Sequence, residues 1–193
     1  MTRRPHRARS GPRSGVIARL IVDRSGVSAI EFALIAPVMI LIYFGLVEFC
    51  QAYMAERRAG HTAAMVADLV AQSDTTNKVE VDRVFAIGQM IMKPFPEGTL
   101  ATRVSSITVD AAGVARVDWS RGKGSLTALT KQTVYPDLPA GLVDANETQS
   151  LILGETAYVY QSAFSQVLPQ PITFRRKYYL RPRTVNTVPC ADC

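Results

Sequence analysis

Histidine is nearly missing from this chain: His6 and His61 are the two in 193 residues. No convincing metal cage or histidine-based triad can be built from them, so neither a metal nor a cofactor is expected. Cysteine is scarce as well, with Cys50, Cys190 and Cys193. Acidic residues are almost absent from the first 26 positions, where Asp23 stands against Arg3, Arg4, Arg7, Arg9, Arg13, Arg19 and Arg24. Beyond position 26 the signs balance at 15 each, so the formal charge of +6 belongs wholly to this leader. Basic charge gathered in one arm, rather than on a folded face, weighs against nucleic acid as a partner. Arg3-Arg4 has no apolar stretch close behind it, which sets aside a twin-arginine export signal. No internal repeat is present.

Charge is missing altogether from Phe32 to Val47, sixteen residues without a break. Counted from Val27 the run is 21 residues, interrupted by Ser28 and Glu31. As a helix it spans roughly 31 Å, one bilayer crossing. A buried core helix of a soluble domain is the competing reading, but wholly apolar runs there rarely exceed about a dozen positions. Arginine before the span, with nothing comparable after it, leaves the N-terminus cytoplasmic and the C-terminal part exported.

An ordinary secretory signal has a shorter apolar core followed by small residues. Here the core ends in Val47-Glu48-Phe49-Cys50-Gln51-Ala52, a poor site of that kind. Cleavage before the span is better provided for, because Gly26 offers a side-chain-free residue that a protease can hold extended. The pattern Gly26, Glu31, Phe32 and a long apolar run resembles the processing site of type IV pilin-like proteins. Ala29-Ile-Glu-Phe-Ala-Leu-Ile-Ala-Pro37, followed by Phe44-Gly-Leu-Val-Glu-Phe49, is similar to the N-terminal region of TadE/TadF-like pseudopilins of tight-adherence (Tad) pilus systems. The resemblance covers roughly residues 24 to 70. It implies a minor pilin-like component rather than an enzyme, cut between Gly26 and Val27 by prepilin peptidase. It also implies a single-pass protein of the bacterial inner membrane, whose partners are other pilins or pseudopilins and Tad assembly proteins. The alternative is an uncleaved, signal-anchored envelope protein with an exported binding domain.

Glu31 lies about four residues inside the span, where a charged carboxylate costs up to a few kcal/mol. It should carry a proton, find a cation, or snorkel toward the headgroups. Cleavage at Gly26-Val27 creates such a cation, the α-amino group of Val27, on the same or a neighbouring subunit. By resemblance to pilins, that contact sets register during assembly, with Phe32 beside it in the recognition pattern. Pro37 removes one helical hydrogen bond and crowds the carbonyl of Ala33, so a kink is expected there, either useful in packing or merely tolerated.

After Glu48 the pattern stays helical to about Gln72, with Ala52, Ala55, Ala59, Ala63, Ala67 and Ala71 spaced by threes and fours. Such a stripe lets another helix approach closely. Asn77 with Glu80 three residues on reads as the start of a second helix, with Val81, Val84, Phe85, Gly88, Ile91 and Met92 on one face. From Ala101 the texture becomes β-branched: Thr102 to Val109, a turn at Asp110 to Gly113, then Val114 to Trp119, a hairpin. Two more strands are expected, Ser150 to Ser162 and Ile172 to Leu180. The fold class is therefore α+β, a long N-terminal transmembrane and stalk helix followed by a small exported domain with an antiparallel sheet and one or two short helices. The segments are a leader (1–26), a span (27–48), a stalk (49–73), an exported domain (74–189) and a cysteine-containing tail (190–193).

Little else suggests chemistry. Gly122-Lys-Gly-Ser125 lacks phosphate-loop spacing and a following helix. Asp110 and Asp118 flank a turn, where aspartates serve the backbone. Cys190-Ala-Asp-Cys193 has redox-motif spacing without the redox-motif setting; a structural disulfide and free thiols are both open, in an expected oxidising compartment.

Overall fold

The computed structural model describes residues 25–139, 141–143, 147–162 and 169–193; the basic leader before residue 25 lies outside these. Helix α1 spans Ser25–Ala71 and α2 spans Lys78–Met92. One 3-10 turn at Glu97–Thr99 leads into strands β1 (Leu100–Val109), β2 (Ala115–Lys123), β3 (Gln149–Tyr160) and β4 (Ile172–Leu180). All pairings are antiparallel, in the order β2-β1-β3-β4. This is the α+β arrangement expected from the change in texture after Pro96.

Local chemistry explains the element ends. Asn77 caps α2, its side-chain oxygen accepting from the Glu80 N–H at 3.0 Å. In the β1–β2 turn, Asp110 Oδ1 accepts from the N–H groups of Ala112 and Val114 at 3.0 and 2.9 Å. The ladder slips between Ser106 and Ile107, leaving Asp118 without a Cα partner, and its carboxylate accepts from Ser106 and Thr108 hydroxyls at 2.9 and 2.8 Å. Both aspartates thus serve backbone and bulge.

The chain divides into two compact units, residues 1–45 and 46–193. The second unit places the alanine stripe in its core: Ala55, Ala59, Ala63, Ala67 and Ala71 are fully buried. What approaches this stripe is chiefly the sheet rather than another helix. A methyl group on Gly154 of β3 would stand 2.8 Å from Ala67 Cβ and closer still to the Ala63 carbonyl, so a side-chain-free residue is needed there. The Thr156 hydroxyl donates to the Ala59 carbonyl at 2.9 Å. On the neighbouring face of α1, Thr62 and Val66 meet α2 at Gly88. Residues 49–73, set apart above as a stalk, therefore belong to the head, because their small side chains let the backbone of α1 lie against β3.

The other side of the sheet packs Ile107, Val117, Leu151 and Leu153 against Tyr135, Leu138 and Leu142 of the loop after β2. Residues 181–193 return to the helix side. Val188 is buried beside Val66, Val81, Phe85 and Trp119, and its carbonyl accepts from the Trp119 indole N–H at 2.7 Å. The expected tail at 190–193 is woven into the fold through a bridge between Thr76 and Cys190.

Candidate functional site

Gly26 lies in the first turn of α1, with nothing within 4 Å of the position its Cβ would take. Val27, Glu31 and Phe32 follow on an exposed surface, and Phe32 is 72% exposed. Val27 and Glu31 are four residues apart, one turn along the same face. Among the described residues no hydrogen bond or ion pair engages Glu31. Pro37 sits inside α1, which continues through it. None of the most apolar 18-residue window of this helix is buried, and its length and composition suit a bilayer crossing. A core helix of a soluble domain would hide those residues.

The apolar run is closed by an acidic residue. Glu48 is 1% exposed, and the Tyr160 hydroxyl donates to its Oε1 at 2.7 Å. Phe95 and Phe174 surround Tyr160 at ring-centroid distances of 6.4 and 6.3 Å. Burial pushes the Tyr160 hydroxyl well above its ordinary pKa, and the hydrogen bond and charge of Glu48 push the same way. The missed signal was position: Glu48 precedes Ala52 by four and so begins the alanine stripe.

A second polar group crosses the opposite side of the sheet. Arg103, Glu155 and Lys177 are neighbours in one row of β1, β3 and β4. Arg103 Nε lies 2.5 Å from Glu155 Oε2, and Lys177 Nζ lies 3.7 Å from Glu155 Oε1 and 3.0 Å from Asp137 Oδ2. Lys177 also donates to the Tyr135 hydroxyl at 3.0 Å, which is 3.2 Å from that of Tyr179. Burial raises both tyrosine pKa values. For Lys177 burial lowers the pKa, but the Asp137 hydrogen bond and the charges of Glu155 and Asp137 outweigh it and the net shift is upward. These groups satisfy one another and tie the loop at 135–138 to the sheet, a structural arrangement.

Cys190 and Cys193 form a disulfide with Cα atoms 5.6 Å apart. Between them Asp192 accepts from the Lys78 N–H at 2.8 Å, at the N-terminus of α2. Among the described residues no βαβ unit surrounds this pair; the bridge closes the short turn whose Asp192 and Cys190 meet Lys78 and Thr76. Cys50 is a free, exposed thiol. Lys123 of the Gly122-Lys-Gly-Ser125 segment donates to Gln89 at 3.2 Å, and among the described residues no helix follows it.

The geometry defines an α+β unit and, ahead of it in the chain, a helical stretch suited to membrane anchoring. Residues 26–68 match the family model described as TadE-like protein, so the similarity runs along α1 almost to its end. The match takes in Gly26, Glu31, Glu48 and the alanines to Ala67, and it points to association with a Tad pilus and a membrane. No curated protein and no solved structure matches the chain.

Proposed function

We propose that this chain is a minor pseudopilin acting in the assembly of a Tad-type adhesive pilus. In this reading it is held in the bacterial inner membrane by one span, with its N-terminus cytoplasmic and its head periplasmic. The observation that carries the proposal is Glu31, a carboxyl group on an exposed apolar helix face, without a partner among the described residues of its own chain. Prepilin peptidase hydrolyses the Gly26-Val27 bond, leaving a carboxylate on Gly26 and an ammonium on Val27. That ammonium is the cation Glu31 lacks, and offering it to the next subunit fixes the stagger between packed helices. Pro37 leaves the Ala33 carbonyl without its helical donor, which allows α1 to bend where subunits crowd. The work is structural, not catalytic.

Intact-mass measurement of the membrane-extracted protein tests the processing step. A chain beginning at Val27 is expected; one retaining Arg3 to Arg24 is the uncleaved, signal-anchored alternative and overturns the reading. Glu31→Ala should abolish pilus formation, and normal pili in that variant would remove the assembly role.

A further inference from the structure

One exposed face of α1 carries Phe49, Tyr53, Arg57 and His61, each four residues from the last. Over about 18 Å of helix it passes from apolar through amphipathic to cationic. The rings of Phe49 and Tyr53 are stacked, with centroids 6.4 Å apart. Beside Arg57 and His61, β4 supplies Arg176 and Tyr178, and with Tyr53 and Met54 these line an open groove of about 880 Å³. The stem of Arg176 lies against Gly60, where a Cβ would be 3.7 Å from its Cγ.

The charges are unevenly matched. Arg176 pairs with Glu56, and Arg58 donates to the Ile91 carbonyl at 2.8 Å. Arg57 is exposed and has neither an ion pair nor a hydrogen bond among the described residues. The groove therefore presents an uncommitted guanidinium one turn beyond an amphipathic ring. Tyrosine rings settle at the headgroup level of a bilayer, and arginine forks suit phosphate oxygens.

We propose that this groove holds the headgroup of an anionic phospholipid, its phosphodiester on Arg57 and its acyl chains along Tyr53 and Phe49. A soluble phosphate would use the guanidinium and leave the aromatic row idle. An acidic protein surface would have no need of the apolar end. The proposal rests on α1 crossing a membrane.

The test uses the full chain in neutral detergent, offered equimolar phosphatidylglycerol and phosphatidylcholine with identical acyl chains. Lipid retention is read by native mass spectrometry. Preferential retention of phosphatidylglycerol is expected. Arg57→Gln should weaken it about tenfold, the scale of one charge-assisted hydrogen bond, and Arg57→Lys should restore part of it; matched melting curves confirm that both variants fold. Equal retention of the two lipids, or an unchanged preference in Arg57→Gln, overturns the proposal. So does displacement by inorganic phosphate at equal concentration, which marks a free-anion site. A photocrosslinker at position 57 that captures an acidic protein and no lipid in cells would also overturn it. Carbonate extraction separates the two readings: release of the chain from membranes removes the anchoring. A carbonate-resistant chain without lipid preference sinks the lipid site alone.

Discussion

The Tyr160 hydroxyl reaches across 112 residues of sequence to donate to the carboxyl oxygen of Glu48 at 2.7 Å, joining the last residue of β3 to α1. Both groups are buried, so each depends on the other for its hydrogen bond. Tyr160→Phe removes the donor and leaves the Glu48 carboxyl unsatisfied, at about 1–3 kcal/mol. Glu48→Gln keeps an acceptor and should cost less. Denaturant melts of the two variants should rank them in that order, and equal, negligible losses would mean the pair is not formed.

Gly154→Ala should destabilise the head by about 1–3 kcal/mol through overpacking. The atoms that a new methyl meets include the α1 backbone, which cannot swing aside as a side chain can. Chemical denaturation reads the loss; an unchanged midpoint would show that α1 and β3 are farther apart than described.

Alkaline pH should unfold the head early. Tyr135, Tyr160 and Tyr179 all have pKa values raised on folding, with burial the largest cause, and the Lys177 value is raised by Asp137 and Glu155 against its burial. For every one of these groups the folded state keeps its proton longer than the unfolded chain. Their stabilisation is therefore complete below about pH 10 and is lost as pH climbs through the folded values. Denaturation at stepped pH, followed together with tyrosinate absorbance, should show ionisation and unfolding rising as one transition. Tyrosines that ionise near their ordinary value while the fold persists would contradict this.

Reduction of Cys190-Cys193 should lower stability modestly. The loop it closes is so short that chain entropy supplies only about 2 kcal/mol. Alkylation without reductant should leave both thiols unmodified while Cys50 reacts; labelling of all three would exclude the bridge.

How much of this was legible depended on range. The N-cap of α2, the Asp110 turn and the four strands follow from residues within a few positions of one another. The apolar run was equally plain, since sixteen uncharged residues need no tertiary context. What escaped was long-range. Alanine spacing announces a close approach but does not say whether a helix or a sheet makes it, and here the answer lay at Gly154. The burial of Glu48 is not written near it in sequence, because its donor is on β3. Nothing near Arg57 in sequence marks a groove, and β4 supplies its other wall. Cys190 to Cys193 read as a loose tail because nothing nearby in sequence predicts a bridge to Thr76.

Val188 completes the same apolar cluster as Val66, Val81 and Trp119, and Arg183 donates from its backbone to the carbonyl of Ala71 at 2.9 Å. A chain made from its N-terminus outward has α1 long before it has these closing residues. β3 covers the alanine face, but the indole of Trp119 and the cluster around Val66 and Val81 must wait for the stretch from 183 to 190. Closure of this cluster is thus timed by a segment made long after the helix it completes.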